Sequence, residues 1–198
     1  MTIVLMNIIW ATGGGAINIV FERLGGVAFP AKEAWNPDMA VALLWVASGF
    51  GLAAGMLLAH RVEASVSARK ITSGFIGWSL IAHGLLFSLA GFMPTLWLVL
   101  FFTFISRLIV GVEYAVQETM FQRVLPDYIR GRILTIDRGA EITMFSISGY
   151  FAGLSQYYIS PEMLAIISGV LSASAGVLWF VRSSKSKVEN SETATAEA

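Results

Sequence analysis

Three charged residues, Asp137, Arg138 and Glu141, stand close together in a part of the chain that is otherwise apolar enough to lie in lipid. On a helix advancing about 100° per residue, Glu141 falls about 40° and Arg138 about 100° from Asp137. Ser148 falls about 20° from Asp137, and Ser155 on the same line. The face so formed has two readings. It is either a wet wall that contacts a substrate or ion, or an ion cluster just inside a membrane surface. In both, the three-residue spacing lets Arg138 pair with Glu141.

A second polar face follows from Arg107, the charge set deepest among apolar neighbours. Thr103, Tyr114, Gly111 and Glu118 lie within about 40° of it on a helical wheel. Too far from either helix end for easy snorkelling, Arg107 suits a functional or gating role better than an anchoring one. Glu113 and Gln117 share the adjacent strip. Glu113 reads first as an ordinary glutamate near a helix end, and otherwise as a carboxylate that carries a proton. Near the amino terminus, Asn7, Gly14 and Asn18 fall within about 40° of one another. Small and amide residues at this spacing suit close helix packing. Alternatively, the run Gly13-Gly14-Gly15 breaks the helix and Asn18 faces a pathway.

Other chemistries find no residues to perform them. The chain has no Cys, which excludes a disulfide scaffold, a thiolate metal site and a cysteine nucleophile. His60 and His83 are isolated from other ligands, so no metal site or cofactor is expected. An intramembrane serine protease would need a histidine after its nucleophile. Ser48-Gly49 is present, but no histidine follows His83. No catalytic residue is assigned. Thirteen basic residues balance thirteen acidic ones, so no basic excess points to nucleic acid.

The elements that position these residues are membrane spans. Of 198 residues, 56% are hydrophobic and 13% charged, and the mean hydropathy is +0.71. A span needs about 20 apolar residues. Uncharged runs cover 1–21, 39–59, 71–106, 142–161 and 163–181. The third is too long for one helix and holds the turn signal Gly91-Phe92-Met93-Pro94. Six helices are therefore predicted, at about 2–21, 39–59, 71–91, 94–116, 133–157 and 162–181, in a bundle over 1–182. The first lacks the basic flank of a cleaved signal. Arg61, Arg69, Lys70, Arg123, Arg130, Arg132, Arg182, Lys185 and Lys187 fall on one side of these spans, and Arg23 and Lys32 on the other. Basic loops stay inside, which places both termini in the cytoplasm of a multi-pass protein of the cell membrane. The tail, 183–198, has no aromatic or large aliphatic residue except Val188 and is expected to be disordered.

Three motifs carry a resemblance. GFGLAAGMLLAHRV followed by SARK has a glycine-rich helix end and a basic loop, with Gly55, Leu57, Arg61, Arg69 and Lys70 as its marks. RLIVGVEYA sets Arg107 before Gly111, and QRVLPDYIRGRIL contains Gln122, Pro126, Asp127, Arg130, Gly131 and Arg132. In order and spacing these resemble the carboxy-terminal half of a major facilitator superfamily transporter, of the exporter-like kind, over residues 1 to 182. Ala59 stands where the stronger form of the first loop has aspartate, which removes an acidic latch there.

The resemblance implies an all-α membrane protein whose six transmembrane helices form one half, three plus three, of a secondary transporter. It implies efflux of a small molecule, with Asn18, Arg107, Glu113, Gln117, Asp137, Arg138 and Glu141 toward the pathway. Arg61, Arg69, Lys70, Arg130 and Arg132 would belong to cytoplasmic gating loops. A complete member has two halves around a central site. An amino-terminal six-helix half or a second copy is thus the expected partner, besides the bilayer. The half length also suits a non-transporting scaffold or a degenerate fragment.

Overall fold

A computed structural model describes residues 2–196, with side chains through residue 183. Every regular element in it is a helix. The first rod is built of pieces: α1 (Thr2–Gly14), α2 (Ile17–Arg23), a π-helical turn (Leu24–Ala28) and α3 (Phe29–Glu33). Then come α4 (Pro37–Ala68), α5 (Thr72–Ala90), α6 (Leu96–Val124), α7 (Asp127–Ser155) and α8 (Pro161–Ala196). Asn36 caps α4 by accepting a hydrogen bond from the Met39 amide at 3.0 Å, and Pro37 opens it, where a missing N–H costs nothing.

Five helices among the described residues are long and apolar enough to cross a membrane: Thr2–Glu33, Pro37–Ala68, Thr72–Ala90, Leu96–Val124 and Pro161–Ser183. The expectation of six is met only to that extent. The remaining stretch, 133–157, overlaps α7, whose 29 residues reach about 43 Å at 1.5 Å each. Its length suffices, but Asp127, Arg130, Arg132, Asp137, Arg138 and Glu141 dilute its apolar character. Several helices outrun their apolar segments, because a helix continues into water wherever its backbone bonds are kept. Thus α4 continues past Ala59 to Ala68 and α6 past residue 116 to Val124. The tail read as disordered lies, from residue 184 on, outside the residues whose side chains are described, and α8 extends to Ala196.

Contacts between rods fix their directions. Gly51 and Gly55 meet Phe104 and Leu108, so α4 and α6 run parallel. Gly77 faces Trp179 and Phe180 while Gly84 faces Gly169 and Ala173, so α5 and α8 run antiparallel. Asn7 reaches Asp137 and Thr12 reaches Ser148, so α1 and α7 run parallel. The first rod, α5 and α7 therefore point one way, and α4, α6 and α8 the other.

Two of these seams depend on glycine. A Cβ on Gly111 would stand 2.5 Å from the Leu52 carbonyl oxygen, and one on Gly55 would collide with the Leu108 carbonyl. On the other side, a Cβ on Gly84 would stand 2.5 Å from the Ala173 amide nitrogen. Without a solvophobic force between helices in lipid, such backbone approach supplies the packing energy. The main apolar cluster, with Phe21, Leu24, Phe29, Leu44, Leu96 and Val99, lies under the second half of the first rod. There Arg23 donates to the Ile159 carbonyl at 2.7 Å and Lys32 pairs with Glu162 at 2.6 Å.

Candidate functional site

The polar residues gather along the seam where α7 lies against the first rod. Only Asp137 and Ala152 of α7 are buried. Asn7 is the hub of the seam. Its amide nitrogen donates to both Asp137 carboxylate oxygens, at 3.0 and 3.2 Å, and its carbonyl oxygen accepts from Gln117 Nε2 at 2.9 Å. All three side chains are buried, so three helices are tied by hydrogen bonds that no water replaces.

Arg138 turns away from Asp137. Its guanidinium donates to Glu141 Oε2 at 2.7 Å, the pairing that the three-residue spacing suggests, and reaches Glu118 Oε2 on α6 at 3.4 Å. The same group lies 4.7 Å from the centre of the Tyr114 ring, within range of cation–π attraction. The cluster thus bridges α7 to α6 through one side chain, with Arg138 about a third exposed and Glu141 nearly covered.

The expected polar face of α6 divides in space. Gln117 joins Asn7, and Glu118 joins Arg138. Arg107 is buried elsewhere, its guanidinium 5.7 Å from the centre of the Phe87 ring on α5, and its Nε has no hydrogen-bond partner among the described residues. Glu113 is 2% exposed, and its Oε1 is likewise unpartnered. Among the described residues, α6 therefore buries an arginine and a glutamic acid side chain that do not pair with each other. His83, which the sequence left isolated, is held by Ser106. The hydroxyl lies 2.8 Å from Nδ1 and donates to the His83 carbonyl at 3.0 Å. Both bonds are satisfied when Nδ1 carries the proton.

Asn18 stands apart from Asn7, because the rod breaks between them. The Ala16 amide bonds back to Gly13 instead of Thr12. The freed Thr12 carbonyl accepts from Ser148 Oγ on α7 at 2.6 Å. The change of phase leaves Asn18 exposed beside Gly15, Glu141, Ile142, Phe145, Ser146 and Gly149, which with it line a cleft of 460 Å³. Gly15 lies about 20 Å along the rod from Thr2, at 1.5 Å per residue, deep in the apolar segment.

The basic positions of the loops are at the opposite end from Arg23 and Lys32. Arg61, Arg69, Lys70 and Arg132 are exposed; Arg130 pairs with Asp127 at 2.6 Å and donates to the Leu125 carbonyl at 3.1 Å. Arg123 joins α6 to α4 through Glu63 at 2.7 Å. Ala59 is buried against Val112 and Val116, a place that would strand a carboxylate.

The hub role of Asn7 and the pairing of Glu118 with Arg138 were not read from the sequence. Both depend on which rods adjoin, and spacing along one helix carries no sign of it. No group of three His, Asp or Glu side chains among the described residues is close enough to hold a metal ion. Comparison with family models, with curated proteins and with solved structures gave no match.

Proposed function

We propose that this chain is one six-helix half of a major facilitator-type secondary transporter, exporter-like, that moves a small molecule across the cell membrane. The observation that carries this reading is the interrupted first rod, whose break opens beside a polar cleft on α7. Broken helices deep in a membrane bundle are where transporters build their sites, since freed backbone groups and nearby side chains can be offered to a solute. In this reading α7 is also a span, the fifth in chain order, and brings the number to six. It runs parallel to α1, and its charges face protein at Asn7, Glu118 and Tyr114 instead of lipid.

The orientation follows from the basic residues. At one end Arg23 and Lys32 are bound within the protein, while at the other Arg61, Arg69, Lys70 and Arg132 are exposed to a cytoplasmic surface. Both termini are then cytoplasmic. Since the chain has no cysteine, Ala34→Cys and Ser67→Cys give clean labelling sites on opposite sides. On intact cells an impermeant thiol reagent should label the first alone, and labelling of the second alone would invert the topology.

Alternating access needs a second bundle to rock against. That bundle is an amino-terminal six-helix half or a second copy of this chain. Everted vesicles holding the chain with such a half should accumulate a solute from a panel of radiolabelled small molecules, and vesicles with a verified monomer should not. Failure of every pairing across the panel would refute the transport reading.

A further inference from the structure

We infer that the groove between α5 and α6, with the last turns of α4 beside it, holds one anionic glycerophospholipid. An acyl chain lies in the groove, and the phosphate rests on Arg61, Arg69 and Lys70. This goes beyond the transport reading and stands whether or not the chain moves a solute.

The groove itself is apolar and elongated. Phe75, Trp78 and Ala82 of α5 stand opposite Leu108 and Val112 of α6, with Val62 of α4 beside them, and the lining encloses 390 Å³. From Phe75 to Ala82 it follows α5 for about 10 Å, at 1.5 Å per residue. Trp78 and, one turn past Ala82, Leu85 are exposed, so the groove lies on the surface that these helices turn to lipid. Side chains that border a space lose dispersion contacts unless something fills it, and an acyl chain has the matching shape and polarity.

Charge at its mouth selects the headgroup. Arg61 adjoins Val62 in the last turns of α4, and Arg69 and Lys70 stand at the head of the helix that carries Phe75 and Trp78. The connection is pinned. The Ile71 amide donates to the Val66 carbonyl at 3.1 Å and the Lys70 amide to Ser67 at 3.0 Å, with Lys70 left-handed at φ 55°, the double-bonded turn that ends a helix sharply. All three basic side chains are exposed, and among the described residues none of them meets a carboxylate. Glu63, the acid beside Val62, is taken by Arg123 at 2.7 Å. Three uncommitted cations at a membrane surface attract a phosphate, and a choline headgroup would bring its own cation against them.

A second apolar cleft shows what the charges add. It has 310 Å³ and lies where Ala16 of the first rod meets Phe151 of α7 and Leu164 of α8, with Ile159 at its border. The cations at that end are committed, Arg23 to the Ile159 carbonyl at 2.7 Å and Lys32 to Glu162 at 2.6 Å. That cleft can take hydrocarbon from any lipid. Only the groove on α5 and α6 joins an apolar bed to free basic side chains, and this conjunction calls for a lipid and not for a free phosphate, which would find the bed useless.

The test titrates the purified full chain in uncharged maltoside micelles with dioleoylphosphatidylglycerol or dioleoylphosphatidylcholine and counts bound lipid by native mass spectrometry. One phosphatidylglycerol should bind ahead of all further lipid, at least about fivefold tighter than phosphatidylcholine, the factor that one basic side chain near an anionic surface supplies. Arg61→Gln with Lys70→Gln, both at exposed positions, should bring the two lipids close to equal affinity. Ala82→Phe should fill the groove and weaken the first phosphatidylglycerol at least about fivefold while every cation stays in place. Glycerol 3-phosphate at the same concentration should neither bind nor displace the lipid. The comparison of the two lipids on the parent chain needs no variant, so it decides the matter even if a variant misfolds.

Equal affinity of the parent for the two lipids would overturn the inference. So would a preference that the charge variant removes and Ala82→Phe leaves intact, which would mean diffuse attraction to a basic surface. Loss with Ala82→Phe alone would mean a groove indifferent to headgroups, and displacement by glycerol 3-phosphate a plain phosphate site. Failure of transport in every pairing would leave the lipid site standing, and failure of lipid binding would leave the transport reading where it was.

Discussion

The seam between α4 and α6 and the seam between the first rod and α7 hold helices together in different proportions of backbone contact and polar bonding. The first is dry and close. Gly51, Gly55 and Gly111 bring backbones into contact, with Ala40, Leu44 and Ser48 continuing the buried stripe along α4. The second adds polar groups to a single close glycine contact, Gly15 against the Phe145 backbone: Asn7 bonds to Asp137 and Ser148 to the Thr12 carbonyl. Its helix is broken and its cleft open. Packing by backbone contact gives rigidity everywhere along a seam, whereas packing by a few bonds gives fixed points with space between them. The second arrangement is the one that can admit a ligand or slide.

The widest gap between the glycine seam and the uncovered flank of α7 should appear when glycine is enlarged. Gly55→Leu places a branched side chain where even a Cβ collides with the Leu108 carbonyl. The loss should be about 3 kcal/mol or more, with little folded protein recovered. Gly139→Leu on α7 meets nothing within 4 Å and should leave stability within about 0.5 kcal/mol of the parent. Unfolding of each variant in mixed micelles, followed by helical circular dichroism, reads both. Equal losses would mean that α7 is covered by a surface the chain does not itself supply.

Removal of the polar hub should cost less. Asn7→Leu is close in volume but leaves the Asp137 carboxylate and the Gln117 amide buried without their shared partner. About 2 kcal/mol is expected, from the desolvation that those two groups no longer recover. Adding Asp137→Leu and Gln117→Leu to the same chain should restore part of that loss, because all three polar groups then leave together. A triple variant less stable than the single one would show that the hub is fixed by shape and not by hydrogen bonds.

How far the sequence discloses each seam follows from the same contrast. Apolar runs, the turn at Gly91 to Pro94 and the glycine stripe on α4 are local, since each is written in residues adjacent along one helix. The pairing of Arg138 with Glu141 is legible for the same reason, being confined to one turn. Asn7 reaching Asp137 across 130 positions has no local sign, and neither does Glu118 meeting Arg138. The wheel drawn through Asn7, Gly14 and Asn18 assumes an unbroken helix. The glycine run made a break admissible, but only the Ser148 hydroxyl waiting on α7 shows where the freed carbonyl goes. The charge content of α7 works in the other direction: it lowers the apolar character of a helix on which Asp137 is buried and Arg138 and Glu141 are bound to side chains.

The smallest effect should come from the ion pair that the sequence makes most visible. Arg138 is about a third exposed, so water screens much of its attraction to Glu141 and Glu118. Arg138→Ala should cost about 1 kcal/mol, part of it the lost contact with Tyr114. Arg138→Lys keeps the charge but gives up the planar fork that reaches two carboxylates and the ring at once, and should fall between parent and alanine. In a double-mutant cycle with Glu141→Ala, the coupling should be about 0.5 kcal/mol, the range of an exposed pair one turn apart. A coupling near 3 kcal/mol would place the pair in a dry interior, where removal of one partner strands the other. The first-rod seam would then be as closed as the glycine seam, and its cleft would have to open before any solute could enter.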